Sequence, residues 1–213
     1  MAELDFTNIA TTSISTPASG VTATFVDNSD KRLKTKDDTG KVTSVVEINN
    51  FSTVAQTPAA ATRTYIVGSN ITIPSGKMQI GTMFRWSFNM TKTAAGTAAS
   101  TFDIAVGTAG STADTARVSF TKPAGLATAD EGWVEIAAIV RGPLSASGIM
   151  TGEFMMYHNG NTTGHAVIPV VVVNTVSGAF DVTVASSIVG LCITSGLADA
   201  ITIQQVTTEA FNI

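Results

Sequence analysis

The sequence predicts an all-β protein: an antiparallel β-sandwich, read as a jelly roll, preceded by a short β-hairpin arm. Three observations predict it. The 213 residues include 33 threonines and 18 glycines but only 13% charged residues, a composition that suits pleated strands and turns rather than helix surfaces. Apolar residues recur with a period of two rather than 3.6. Each such run is bounded by Gly, Pro, Asn or Ser, and none reads as an amphipathic helix. A chain of this size buries roughly 70% of its unfolded surface and can stand without staples.

The first 48 residues differ from the rest, because they hold 12 of the 28 formal charges. Within them Thr22-Ala-Thr-Phe-Val-Asp27, the turn Asn28-Ser-Asp30 and Lys31-Arg-Leu-Lys-Thr-Lys36 read as a hairpin. Asp37-Asp-Thr-Gly40 supplies a second turn before Lys41-Val-Thr-Ser-Val-Val46. Strands this short are marginal alone, so the arm 1–48 is expected to pack on a partner surface. Phe25, Lys31, Arg32, Leu33, Lys34 and Lys36 are the residues expected to dock, with the interleaved Asp27, Asp30, Asp37 and Asp38 making a solvated, salt-bridged hairpin.

Residues 49–61, with Gln56-Thr-Pro-Ala-Ala-Ala61, read as a linker, and the sandwich is expected over 62–213. Its clearest strand is 82–92, where Phe84, Trp86, Phe88 and Met90 alternate with Arg85, Ser87, Asn89 and Thr91. Further runs fall at 101–106, 117–121, 133–141, 148–157, 163–174, 180–185, 188–194 and 200–207, giving nine or ten strands in two sheets. Val167-Ile-Pro-Val-Val-Val-Val173 is apolar throughout but far shorter than the roughly 20 residues of a spanning helix, and reads as a strand buried on both faces. No membrane partner is expected.

Charge excludes further classes. The net charge is −4, and the last 72 residues contain no Lys or Arg, so the clustered cations of a phosphate-binding face are absent there and nucleic acid is not an expected partner. The single Cys192 rules out an intrachain disulfide and reads as a small core hydrophobe. Met1-Ala-Glu-Leu-Asp-Phe6 lacks a basic segment followed by an apolar one, so export by the general pathway is not expected.

Candidate chemistry is sparse, and neither an enzyme, a cofactor nor a metal is expected. His158 and His165 flank a turn-rich segment and could share a metal with Glu153, but strict ligand spacing is lacking, and hydrogen-bonding loop histidines are the simpler account. Gly142-Pro-Leu-Ser-Ala-Ser-Gly148 fails the spacing of a nucleophile elbow. Asp37-Asp-Thr-Gly40 has only part of a calcium-loop pattern and reads as a plain turn. Six methionines, Met78, Met83, Met90, Met150, Met155 and Met156, fit core filling. Trp133, Tyr157, His158 and His165 are the expected loop contacts, with Trp133 and Tyr157 as platforms for a sugar if exposed; core or interface packing is the simpler account of both.

The stretch from Thr16-Pro-Ala-Ser-Gly20 to Val46, with Phe25-Val-Asp27, Lys31-Arg-Leu-Lys34 and Lys36-Asp-Asp-Thr-Gly-Lys-Val42, resembles a short N-terminal module of tailed-bacteriophage tail fibres and other virion appendages. The Thr/Ala/Gly-rich strands that follow resemble the jelly-roll domains of capsid decoration proteins and short fibres. The resemblance implies a virion protein made in the host cytoplasm, a homotrimer attached through its arm to the major capsid protein or another virion protein. A receptor- or carbohydrate-binding module, with a host surface glycan as partner, is the alternative. No coiled coil or collagen-like shaft separates arm from sandwich, which favours a compact decoration or cement protein over a long fibre.

Overall fold

A computed structural model describes residues 8–29, 33–44, 48–158, 164–165, 170–183, 186–197 and 201–213. It is all-β, with one short 3-10 turn at Thr11–Ser13. Among the described residues no helix is long and apolar enough to cross a membrane. The chain divides into two compact units, Met1–Ile48 with Asn212–Ile213, and Asn49–Phe211.

The first unit is a four-stranded sheet of β1 (Asn8–Ile9), β2 (Ala23–Asp27), β3 (Leu33–Lys36) and β4 (Val42–Ser44), in that spatial order. The hairpin expected at 22–36 forms as β2–β3, antiparallel, with Phe25 opposite Lys34. Sequence reading missed the parallel pairing of β1 with β2, since two residues carry no periodicity. Asp37 closes the second turn by accepting hydrogen bonds from the Thr39 amide at 3.0 Å, the Thr39 hydroxyl at 2.7 Å and the Lys41 amide at 2.9 Å. These bonds make it an ordinary Asx turn.

The second unit holds β5 (Ile48–Ser52), β6 (Thr64–Tyr65), β7 (Ile71–Pro74), β8 (Met83–Lys92), β9 (Ser100–Gly107), β10 (Thr115–Lys122), β11 (Asp130–Val140), β12 (Met150–His158), β13 (Val170–Val176), β14 (Ser186–Thr194) and β15 (Ile201–Phe211). They form two antiparallel sheets, one ordered β13-β12-β11-β8-β15-β5 and the other β10-β9-β14-β6, with β7 also on β14. Pairing is nested, with β8 on β15 and β9 on β14. The in-sheet meander β11-β12-β13 replaces strict alternation between sheets.

Phe84, Trp86, Phe88 and Met90 are all fully buried, as the alternation along β8 requires. The sheets meet through aromatic rings: Phe88 on Phe102 at 6.2 Å, Phe102 on Phe154 at 4.9 Å, and Phe154 on Phe120 at 6.2 Å between centroids. Gly152 permits this approach, because a Cβ there would lie 2.9 Å from Phe120 Cζ. The Trp86 indole donates to Ser69 O at 2.7 Å, so its one polar group is satisfied. Cys192 is buried, and burial pushes its thiol up to about 12, which leaves it inert.

One expectation changes. The linker expected at 49–61 is part of the sandwich: β5 joins the edge of the six-stranded sheet, Gln56 bridges to Ile203 and Ala60 to Ser195. Its Pro and Ala residues resemble a connector in composition, but a two-residue bridge has no periodic signature. The strand expected to be buried on both faces, 167–173, lies partly outside the described residues, and its remainder belongs to β13, at the edge of the sheet.

Candidate functional site

The outer face of the six-stranded sheet carries two exposed aromatic side chains, on β11 and β12. Registers across four strands place Gln205, Asn89, Trp133 and Tyr157 in one row. Side chains of opposed residues on one face stand roughly 5 Å apart at Cβ, so Trp133 and Tyr157 are immediate neighbours. They are 42% and 51% exposed, which excludes core packing for both. Gly132, inward of Trp133, has no room for a side chain, since its Cβ would lie 2.5 Å from Met156 Cε and 2.7 Å from Tyr157 O.

Around the pair stand polar groups. Asn89, Glu131 and the pair itself line a shallow depression. The next row holds Ser87 and Glu135. On β15 the ladder slips between Ile203 and Gln205, a bulge that turns two successive amides, Gln204 and Gln205, outward. Gln204 Nε2 donates to Thr91 Oγ1 at 2.9 Å. The next cation along the face, Arg85, is bound to Glu209, with Nε on Oε2 at 2.7 Å, and its guanidinium lies 5.3 Å from the Phe211 ring centroid.

At the same end of the sandwich, but inside it, lies a buried polar cluster. Lys92 ends β8 and donates to Thr93 O, Leu126 O and Thr128 O at 2.9, 2.7 and 2.9 Å, holding the loop that leads into β11. Lys122 ends β10 and donates to Pro123 O at 2.9 Å. The Asp130 carboxylate accepts from the His165 amide at 3.0 Å and lies 3.2 Å from His158 Nδ1. The two imidazoles meet edge to face at 5.2 Å. Burial pushes the Lys122 ammonium down to about 8, and neighbouring Lys92 adds to the shift. Burial, then Lys122, pushes the His165 imidazole down to about 3. Neither nitrogen of that ring has a hydrogen-bond partner among the described residues.

The structure corrects several expected site residues. His158 and His165 are not loop contacts: their side chains are buried against Asp130, because strand parity at 157–158 sends Tyr157 outward and its successor inward. Glu153, the carboxylate expected beside them, stands on the outer face opposite Ala137. Among the described residues no cluster of three or more His, Cys, Asp or Glu could hold a metal ion. In the arm, Phe25 and Lys34 are buried, at 3% and 7% exposure, so neither is a docking group. Lys34 Nζ reaches Asp27 Oδ2 at 3.0 Å. Burial alone would raise the Asp27 carboxyl, but bonds from Ser29, Thr11 and Lys34 outweigh it and hold the group far below the carboxylate range. Leu33 and Lys36 are half-buried, and Lys36 Nζ donates to Ile14 O at 2.6 Å. Lys31 and Arg32 lie outside the described residues.

Asn89, Gln204, Gln205, Lys92 and Lys122 were not singled out from sequence. Their only sequence-level signal was position: the wet side of β8 for Asn89, and strand ends for the two lysines. No protein-family model and no curated protein matches the chain, so the reading of the site rests on its own geometry.

Proposed function

We propose that this chain is a structural protein of a tailed-phage virion surface, a decoration or cement subunit that stabilises a shell through contacts between copies and with the major capsid protein. The observation that carries the reading is an apolar end of the sandwich. Ile80, Ile139, Leu144 and Val176 are exposed by 58%, 46%, 49% and 52%. They lie where β8 begins, where β11 and β13 end and in the turn after β11; a Cβ on Gly142 would meet Ile80 and, farther off, the Leu144 amide. Several exposed apolar side chains at one end of a sandwich suit burial against another chain. The resemblance of residues 16–46 to a virion attachment module supports the setting, and the same resemblance makes a homotrimer the expected assembly.

Sedimentation of the full chain tests it, together with labelled protein added to shells of the particle it comes from. A trimer that Leu144→Asp and Ile139→Glu dissociate, and that decorates shells, is expected. A stable monomer with no affinity for shells overturns it. The exposed Trp133–Tyr157 pair favours a second reading, a short fibre or receptor-binding module at the same virion surface.

A further inference from the structure

We infer that the outer sheet face around Trp133 and Tyr157 is a binding site for an uncharged oligosaccharide. This deepens the receptor-binding reading and is independent of self-association. The two rings are adjacent, on neighbouring strands and outward-facing. A pyranose presents an apolar C–H face and a rim of hydroxyl groups, and so needs a flat ring beneath it and bidentate polar groups beside it. Trp and Tyr supply the flat surface with little side-chain entropy to lose. Asn89, Gln204 and Gln205 supply amides that both donate and accept, and Glu131 supplies a carboxylate that only accepts.

The β15 bulge matters because a regular strand would send Gln204 and Gln205 to opposite faces; both are exposed. Bulges of this kind re-aim side chains at functional sites. Charge selects the class of sugar. Glu131 and Glu135 have no ion-pair partner among the described residues, and the face's Arg85 is bound to Glu209. A sulfated, sialylated or phosphate-bearing ligand would meet net negative charge here without a compensating cation, whereas a neutral sugar meets only hydrogen-bonding groups. The depression is shallow, so affinity should rest on a few stacked rings and rim hydrogen bonds, with Kd on the order of 0.1–1 mM.

The two tryptophans make the test direct, because Trp86 is fully buried and Trp133 is 42% exposed. Acrylamide quenching of the full chain therefore reports Trp133. The probes are neutral oligosaccharides of glucose, mannose, galactose and N-acetylglucosamine, with a heparin oligosaccharide as the anionic arm. At least one neutral probe should shield Trp133 from quencher. By calorimetry, Trp133→Ala and Tyr157→Ala should each weaken that probe about tenfold or more, and Trp133→Phe should retain most of the affinity. An unchanged thermal midpoint in the variants will show that they fold. Shielding by heparin alone, by no neutral probe, or affinity unaffected by Trp133→Ala overturns the assignment. Dissociation of an oligomer by Trp133→Ala with no loss of sugar affinity also overturns it, and gives the face to a second copy. A monomer that still binds the neutral sugar leaves this inference standing while the decoration reading fails.

Discussion

In the arm, the buried positions of the β2–β3 hairpin are Phe25, Asp27 and Lys34, whereas the corresponding positions along β8 of the sandwich are Phe84, Trp86, Phe88 and Met90. Both strands alternate, but they spend the buried parity on different chemistry. The sandwich gains by removing apolar area from water, at roughly 25 cal/mol per Å², and its aromatic rings meet across both sheets. The arm is too small for that. It places one aromatic ring beside an ion pair, whose attraction largely offsets the cost of desolvating both charges. Such a pair adds little net stability, yet removing one partner takes away attraction that offsets the desolvation of the other. The sandwich should therefore fail by losing volume and the arm by losing charge.

The largest effect is expected from Phe102→Ala. That ring touches Phe88 and Phe154, so its loss opens a cavity between the sheets and should cost about 3–5 kcal/mol. Urea denaturation followed by Trp86 emission measures it. A cost near 1 kcal/mol would mean that the sheets close up over the gap, and that the core is less tightly determined than its ring contacts imply.

Asp27→Ala attacks the arm in the opposite way. It leaves the Lys34 ammonium buried and removes the acceptor for Ser29 and Thr11, which should cost about 3 kcal/mol, confined to the first unit. Hydrogen exchange at the amides of β2 and β3 should accelerate by about a hundredfold while the amides of β8 and β9 hold. Equal acceleration in both units would contradict the division of the chain. The double variant Asp27→Ala with Lys34→Met, which removes both charges, should recover most of the loss.

Acid separates the two units by the sign of their linkage. His165 is depressed to about 3 in the folded protein against about 6.5 unfolded. Between those values the unfolded chain binds a proton that the folded chain refuses. Sandwich stability should therefore fall as pH drops below about 6.5, by at most about 1.4 kcal/mol per pH unit and by less where water screens the cluster. Lys122, depressed to about 8, acts in the same direction higher up: stability rises as pH climbs from 8 toward the unfolded value of about 10.4. Asp27 is also depressed, but its contribution is complete above about 3.9 and is lost only below that. Titration from pH 7 to 4.5 should thus weaken β8 to β12 and spare β2 and β3. In His165→Asn the acid slope should flatten, and an unchanged slope would place its origin elsewhere.

The alternation that made these strands legible also limited what could be read. Period two says that Phe84, Trp86, Phe88 and Met90 share a face, and it places Trp133 opposite in parity to Val134. It does not say which face is wet. For β8 the imbalance of apolar and polar residues decides; for β3, Leu33-Lys-Thr-Lys36 suggests that the lysines face water, and the register with Phe25 buries Lys34 instead. The buried cluster was illegible for a different reason. Lys92, Lys122, Asp130 and His158 terminate four strands that only the sheet order brings together, and sequence spacing is blind to that. The aromatic row could be named but not assembled, because Asn89 and Gln205 join Trp133 only through two ladder registers and one bulge.

The smallest effect tests whether that row belongs to function or to folding. Trp133 is a large aromatic residue, and in a core its truncation would cost about 3–5 kcal/mol. On the outer face it loses only partial contact with Tyr157 and the β8 side chains, so Trp133→Ala should change stability by no more than about 0.5 kcal/mol. Thermal melts of the dilute protein, where any assembly is dissociated, measure this. A loss of several kcal/mol would mean that the ring supports the fold of its own chain, and its exposure would then need no ligand to explain it. A neutral outcome leaves a large apolar ring that the fold does not require, set beside a second ring and a fringe of amides. Such a ring is retained for what it meets outside the chain, which is the property that separates this face from the buried rings of β8.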